Sequence, residues 1–285
     1  MLPSLGYFLG AALCRIFPLP ALYRLAHGIA GLCHTFRPES RRAVRSNLRV
    51  VLGETASEPE IRRRTLRVFC NFAERLVDFL RLSTVAPEEL ERAFVIEGEE
   101  HLERARKLAG GKILFLTAHM GNWEWGAARL GLSGELHGVV AMRHETDAVE
   151  RMFRSRRGSF GLHVMEEHRS APGVVSMLRS GSPVGMLVDR DVTSDGMTAS
   201  FFGRRARVPR AHVSLALRAG AVILPGFVVC EPGGRHRLIF EPALDPRELG
   251  GVRAGVNACL VVLEKYIRRY PEQWLVFEPM WPEVA

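Results

Sequence analysis

The sequence predicts an α/β fold, a mixed, mostly parallel central sheet flanked by helices, with N-terminal amphipathic or hydrophobic helices ahead of it. Three observations predict it. Short apolar runs rich in β-branched residues recur along the chain, segments of helical periodicity lie between or after them, and two of these runs end abruptly on charged or titratable residues. At 285 residues and 47% hydrophobic content the chain can bury a large core, and no Pro/Gly/Ser linker or internal repeat divides it.

Taken in order, Leu5 to Phe17, then Pro18-Leu19-Pro20, then Ala21 to Phe36 form the N-terminal unit. A spanning helix needs about 20 apolar residues, and Arg15, the two prolines and Arg24 interrupt this one too early. Leu22, Leu25, Ile29, Leu32 and Phe36 make one apolar stripe, so residues 1–36 are expected to lie on a membrane, or on the domain's own core, and residues 37–285 to form a single α/β domain. Arg37, Arg41, Arg45 and Arg49 recur every four residues on the next helix, a basic face suited to an anionic membrane surface or to solvent. A helical stretch from Ile61 to Leu82 should cover one side of the sheet. Strands are expected at Ile113–Leu116, Leu136–Met142, Val184–Val188, Val222–Val229 and Arg237–Phe240, and helices at Leu102–Leu108, Trp123–Leu130, Ala148–Arg157, Gly173–Arg179, His212–Ala219 and Val256–Arg268.

Composition narrows the chemistry. The net charge is +8, and only Lys107, Lys112 and Lys265 among the 39 basic residues are lysine, so arginine forks suited to phosphate carry the charge. No nucleic-acid module accompanies them, and nucleic acid is not an expected partner. The cysteines, Cys14, Cys33, Cys70, Cys230 and Cys259, are odd in number and scattered, which indicates neither a disulfide framework nor a zinc site and fits a reducing compartment. No basic n-region precedes Leu5, so a signal peptide is not expected.

The densest chemical signal is Ile113 to Glu124, a strand that ends on His119 and breaks at Gly121-Asn122 before a helix. Five residues on one helix would turn roughly 500° and leave two side chains about 140° apart, so His119 must precede the helix and Glu124 lie within it. A strand-end histidine and a first-turn glutamate can then converge, Glu124 accepting one imidazole N–H and leaving the other nitrogen as a base. A second apolar run ends on Asp189-Arg190-Asp191, followed by Phe201-Phe202-Gly203 and, further on, Val222-Ile223-Leu224-Pro225. In that segment Asp189 and Asp191 are expected to hold Arg190, or one of the two aspartates to face the substrate. Arg143, after the run Leu136–Met142, could face the same crevice and bind phosphate, or pair with Glu145 or Asp147 at the surface.

Together these residues resemble the bacterial late lipid A acyltransferases, the lauroyl and myristoyl transferases of the wider glycerolipid acyltransferase superfamily. His119 and Glu124 stand at the family's His-x-x-x-x-Asp/Glu pair, Gly121-Asn122-Trp123 fills the gap as the family does, Asp189-Arg190-Asp191 resembles its Asp-Arg-Asp segment, Phe202-Gly203 its Phe-Phe-Gly turn, and Ala221 to Pro225 its Ala-x-x-x-Pro block. Val95 to Glu99 and Asn47 also fit. One departure stands out: Pro271-Glu272-Gln273-Trp274 runs on to Glu278-Pro279-Met280-Trp281 without the family's basic ending, which leaves the acceptor open.

The resemblance implies an O-acyltransferase of lipid A and lipopolysaccharide biosynthesis, or of another glycolipid or lysophospholipid such as a phosphatidylinositol mannoside. It implies His119 and Glu124 as the catalytic dyad, with Asn122, Arg143, Asp189, Arg190, Asp191, Phe202 and Gly203 binding substrate. The donor would be acyl carrier protein or a coenzyme A thioester, no metal or cofactor is called for, and the protein would sit peripherally or monotopically on the cytoplasmic face of the inner membrane. Two other readings stay open: a metal-dependent glycosyltransferase using Asp189-Arg190-Asp191 as an Asp-x-Asp motif, and a lipid-binding protein without turnover. No Gly-x-Ser-x-Gly elbow supports a serine hydrolase.

Overall fold

The computed structural model describes residues 2–53, 55–192 and 195–282. The chain opens with four helices, α1 (Leu2–Ile16), α2 (Leu19–Phe36), α3 (Pro38–Leu52) and α4 (Glu58–Arg81), followed by the short α5 (Pro87–Arg92) and strand β1 (Phe94–Glu97). The alternating part follows: α6 (Glu99–Ala109), β2 (Ile113–Thr117), α7 (Trp123–Leu132), β3 (Gly138–Ala141), α8 (Asp147–Gly158), β4 (His163–Glu166), α9 (Ser170–Arg179) and β5 (Val184–Leu187). A hairpin of β6 (Met197–Phe201) and β7 (Arg204–Val208) leads to α10 (Ala211–Ala219), β8 (Val222–Cys230), β9 (His236–Phe240) and α11 (Val252–Arg269).

Seven strands form one sheet in the order β1-β9-β8-β2-β5-β3-β4, and every neighbouring pair is parallel except β8–β9. The architecture is the mixed, mostly parallel α/β sheet expected. Its central strands are apolar on both faces: Ile113, Leu114, Phe115 and Leu116 of β2 and Val222, Ile223 and Leu224 of β8 are all buried, as a parallel sheet covered by helices on each side requires. β1, β4 and the β6–β7 hairpin were not expected, because their short, charge-bearing sequences carry no strong period. The apolar run at Leu136–Met142 yields only the four residues of β3.

The N-terminal helices share the core. Tyr7 packs edge-on against Phe153 with ring centroids 5.6 Å apart, and the Tyr23 hydroxyl donates to Asp78 at 2.6 Å. On α2 the small residues Ala26 and Ala30 and Leu22 are buried, while Leu25, Ile29, Leu32 and Phe36 (76% exposed) face outward. The expected stripe therefore exists, but Leu22 leaves it for the interior, and α2 seats its small-residue side against α4. Among the described residues no helix is long and apolar enough to cross a membrane. Three of the four arginines of α3 are engaged within the protein: Arg45 and Arg49 both pair with Glu58, and Arg41 donates to the carbonyls of His34 and Thr35 at 2.8 and 3.0 Å. They are not a free basic comb.

The segment after the sheet folds back onto it. Asn47 of α3 donates to the Glu278 carbonyl at 2.8 Å and accepts from the Met280 N–H at 2.9 Å. Gln273 closes a pair of bonds with the backbone of Cys230, at 2.8 and 2.9 Å, so the end of β8 holds the strap formed by residues 273–275.

Two histidines are buried without compensation. His212 at the start of α10 has no hydrogen-bond partner on either ring nitrogen, and burial pushes it down to about 3; burial, with a further push from Arg75, takes His236 to about 3 as well. The unfolded chain takes up protons on these rings near pH ~6.5, whereas the folded protein does not. Stability is thus undiminished by them above pH ~6.5 and falls as the pH drops toward 3, by about 1.4 kcal/mol per pH unit for each ring. Denaturant melts between pH 7 and 5 should show this slope, and His212→Met should remove one histidine's share of it; an unchanged slope would refute the assignment.

Candidate active site

β2 and β5 lie side by side in parallel register, Leu114 opposite Val184 and Thr117 opposite Leu187, and the Val188 N–H donates to the Thr117 carbonyl at 3.0 Å. Two residues beyond each strand end come His119 and Asp189, so the register brings them face to face at the carboxyl edge of the sheet, where α/β folds bind ligands. His119 Nδ1 lies 2.8 Å from Asp189 Oδ1, and Asp189 Oδ2 accepts the His119 backbone N–H at 3.1 Å and the Trp274 indole N–H at 2.8 Å.

The carboxylate is fully buried, and burial alone would push it up. The His119 imidazole beside it, with the bonds from His119 and Trp274, outweighs burial and holds it below its ordinary value. Asp189 is accordingly an anion at neutral pH and an acceptor only, which assigns the imidazole proton to Nδ1 and leaves Nε2 as the basic nitrogen.

This corrects one expectation. The carboxylate that orients His119 is Asp189; Glu124 turns instead to Arg157, whose Nε and NH2 donate to its two oxygens at 3.1 and 2.6 Å. Glu124 lies in the first turn of α7, where Arg157 from α8 is closer at hand than the strand edge. Arg157 in turn lies over Phe153, 5.5 Å from the ring centroid, so the ion pair is set in an aromatic wall.

His119 and Glu124 both line a cavity of about 340 Å3. Its walls are apolar, drawn from Leu76 and Phe79 of α4, Leu130 of α7, Val139 and Val140 of β3, Phe153 of α8, and Leu238 and Phe240 of β9; Arg75, Arg157, Glu167 and Arg190 add charge. Such a space takes a hydrocarbon chain, each buried methylene contributing about 0.8 kcal/mol. Trp123 stands edge-on to the His119 ring, centroids 5.5 Å apart.

The other expected site residues divide. Asn122 borders the cavity but is committed to structure: its Oδ1 caps α7 on the Trp125 N–H at 3.3 Å, and its Nδ2 donates to buried Asp78 at 2.8 Å. Arg143 is exposed and pairs with Asp147 at 2.5 Å; its neighbours Met142 and His144 line the cavity, but Arg143 itself does not. Arg190 lines the cavity, held by Glu278 at 2.5 Å and not by its neighbouring aspartates. Asp191 accepts from Arg207 Nε at 2.8 Å and the Gly196 N–H at 3.1 Å. Asp189 and Asp191 thus serve separate partners and do not converge as an Asp-x-Asp pair.

Phe202 and Gly203 form the two-residue loop between β6 and β7, both with positive φ (52° and 73°) as this tight hairpin demands, and Phe202 packs under Arg268 and Trp281. They shape the hairpin and do not reach the cavity beside His119.

Sequence reasoning did not find Trp274 as a partner of Asp189, Arg157 as the partner of Glu124, or Glu167, whose carboxyl is pushed up by burial at the cavity wall. Only Trp274 carried a signal, the Pro-Glu-Gln-Trp segment.

The profile of the family described as "Bacterial lipid A biosynthesis acyltransferase" matches residues 2–283. A phosphatidylinositol mannoside acyltransferase of Mycolicibacterium smegmatis is 26% identical over 98% of this chain and 91% of its own length, and one of Mycobacterium tuberculosis is 29% identical over 72% of this chain and 66% of its own. Among solved structures, the 1-acyl-sn-glycerophosphate acyltransferase of Thermotoga maritima is similar at a TM-score of 0.43 and 13% identity, covering 88% of this chain and 96% of that one.

The two carboxylates near the site should separate in mutants. Asp189→Asn should lower kcat by about 10²-fold or more with little change in KM, since the wrong tautomer is then held. Glu124→Gln should instead lower the melting temperature, because it strips Arg157, whose side chain is only 13% exposed, of its counter-charge. Steady-state kinetics and thermal melts on both variants check this; an Asp189→Asn enzyme of wild-type kcat would refute the pairing.

Proposed function

The chain belongs to the bacterial lipid A biosynthesis acyltransferase family and is an O-acyltransferase, and we propose that it moves a fatty acyl group from an acyl thioester directly to a hydroxyl of a glycolipid, with His119 as general base and Asp189 as its orienting anion. The observation that carries this reading is the His119–Asp189 pair at the wall of an apolar cavity of about 340 Å3. In the proposed step His119 Nε2 takes the acceptor's hydroxyl proton as the oxygen attacks the thioester carbonyl. The C–S bond of the tetrahedral intermediate then breaks, and the thiolate leaves with the proton held on the imidazolium. Asp189 stabilises that imidazolium. Positive potential for the oxyanion comes from Arg190 at the same cavity or from backbone N–H groups.

The donor is acyl carrier protein or a coenzyme A thioester. For the acceptor, the phosphatidylinositol mannoside acyltransferases among the relatives and the absence of a basic ending after Trp274 favour a mannoside-type glycolipid over a lipid A precursor.

The exposed apolar side of α1 and α2, with Leu5, Leu9, Ile16, Leu25, Ile29, Leu32 and Phe36 at the surface, supports peripheral or monotopic attachment to the cytoplasmic face of the inner membrane. Wild-type protein should co-sediment with anionic vesicles, and Leu25→Ser/Leu32→Ser/Phe36→Ser should release it; binding that survives the triple change would refute this docking face.

Mass spectrometry of total lipids from cells lacking the gene tests the reaction and identifies the acceptor. A species lighter by one acyl chain should accumulate and be cleared by the wild-type gene but not by His119→Ala. Restoration by both genes would overturn the role of His119.

A further inference from the structure

A second cavity, of about 360 Å3, lies between the β6–β7 hairpin and the segment Glu278 to Pro282. The geometry points to it as the binding site for a phosphate ester carried by one of the two substrates, read by Arg205, Arg207 and Arg190, with Glu278 holding the phosphate's place until substrate arrives. This inference rests on the acyl-transfer reading above and deepens it.

Position is the first argument. Arg190 lines both cavities, so an anion bound in the second sits across one side chain from the space that holds His119. A substrate anchored there by its phosphate could extend its reactive end toward the imidazole.

The strand that forms one wall is the second. Along β7, Ala206 and Val208 are buried in the core while Arg205 and Arg207 alternate with them on the other face and line the cavity. Asp191, its side chain 4% exposed, fixes Arg207 through its Nε at 2.8 Å. The Arg205 side chain makes no hydrogen bond or ion pair with the described residues, and its fork is available to a ligand.

The third is the state of Arg190. This side chain is only 20% exposed, its Nε is buried without a hydrogen-bond partner, and its NH2 meets Glu278 at 2.5 Å. Glu278 is 63% exposed and carries the negative group that the arginine needs. A carboxylate on a solvent-facing side chain is an ion pair of small net worth and easily exchanged, whereas a phosphate can meet several arginine forks at once. Phosphate chemistry is present on both substrate sides: on the phosphopantetheine arm of a thioester donor, and in the head group of a phosphoglycolipid acceptor.

Calorimetric titration of inorganic pyrophosphate into the full chain at low salt tests the site. Wild type should bind, Arg205→Ala should bind about tenfold more weakly or worse, and Glu278→Gln should bind more tightly because the competing carboxylate is gone. Absence of binding by wild type, or equal affinities across the three proteins, would overturn the site. Both substituted side chains are at the surface, so thermal melts should show all three equally folded.

The source of the phosphate follows from repeating the comparison with the unreactive thioether S-hexadecyl-coenzyme A and with phosphatidylinositol-containing vesicles. Weakening by Arg205→Ala of the first alone assigns the site to the donor, of the second alone to the acceptor; weakening of neither overturns the inference. A failed acyl-transfer reading would appear elsewhere, as no lighter lipid species in cells lacking the gene, and would leave these affinities unmoved.

Discussion

The parallel pairing of β2 with β5 sets the geometry of the whole site. Thr117 opposite Leu187 commits the next residues of both strands to the same depth at the same edge, and the result is an imidazole nitrogen 2.8 Å from a carboxylate 70 positions away in sequence. A slip of one residue would turn every side chain of one strand to the other face, emptying the core and separating the pair together. The same apolar side chains that fill the two faces of the sheet, Leu114 and Leu116 on one and Phe115 on the other, therefore also fix the chemistry at its end. Backbone packing supports the turn after β2 as well: Gly121 has φ of +59°, and a Cβ there would stand 1.7 Å from the Val228 carbonyl oxygen, so no other residue fits between β2 and β8.

Much of this was legible in the sequence. Continuous apolar runs such as Ile113–Leu116 and Val222–Val229 announce strands buried on both faces, and their abrupt ends on His119 and Asp189 mark the ligand edge. What was not legible is strand order. Without knowing that β5 lies beside β2, the carboxylate nearest in sequence, Glu124, looks like the natural partner of His119. The sheet supplies a nearer one, and Arg157 claims Glu124. Of the two placements open to Arg143, the structure shows the surface one, a pair with Asp147, although Met142 and His144 on either side of it line the cavity. The hairpin at Phe202-Gly203 was visible as a turn, while its service to Trp281 and Arg268 rather than to substrate depends on where α11 and the later segment come to rest.

The N-terminal helices show how little an amphipathic pattern says about which side is inside. On α2 the alanines Ala26 and Ala30 face the protein and most of the bulky apolar residues face out, the reverse of a surface helix covering its own core. Close approach to α4 needs small side chains, and the bonds from Tyr23 to Asp78 and His27 to Glu74 tie the helix down by polar contacts. Those contacts run to α4, whose Leu76 and Phe79 line the cavity, so the outward apolar side and the cavity beside His119 belong to one packed body.

The strap that carries Trp274 gives the site an order of assembly. Its indole N–H is one of the donors that keep Asp189 charged, yet it stands 85 residues further along the chain. As the ribosome extends the polypeptide, β2 and β5 can pair and His119 can meet Asp189 while that donor is still unmade. A nascent chain that has passed Phe240 has every residue that lines the cavity but not the Trp274 donor to Asp189. The hydrogen bonding of the His119–Asp189 pair is therefore completed after the residues of the cavity are made, by a segment that does not line it.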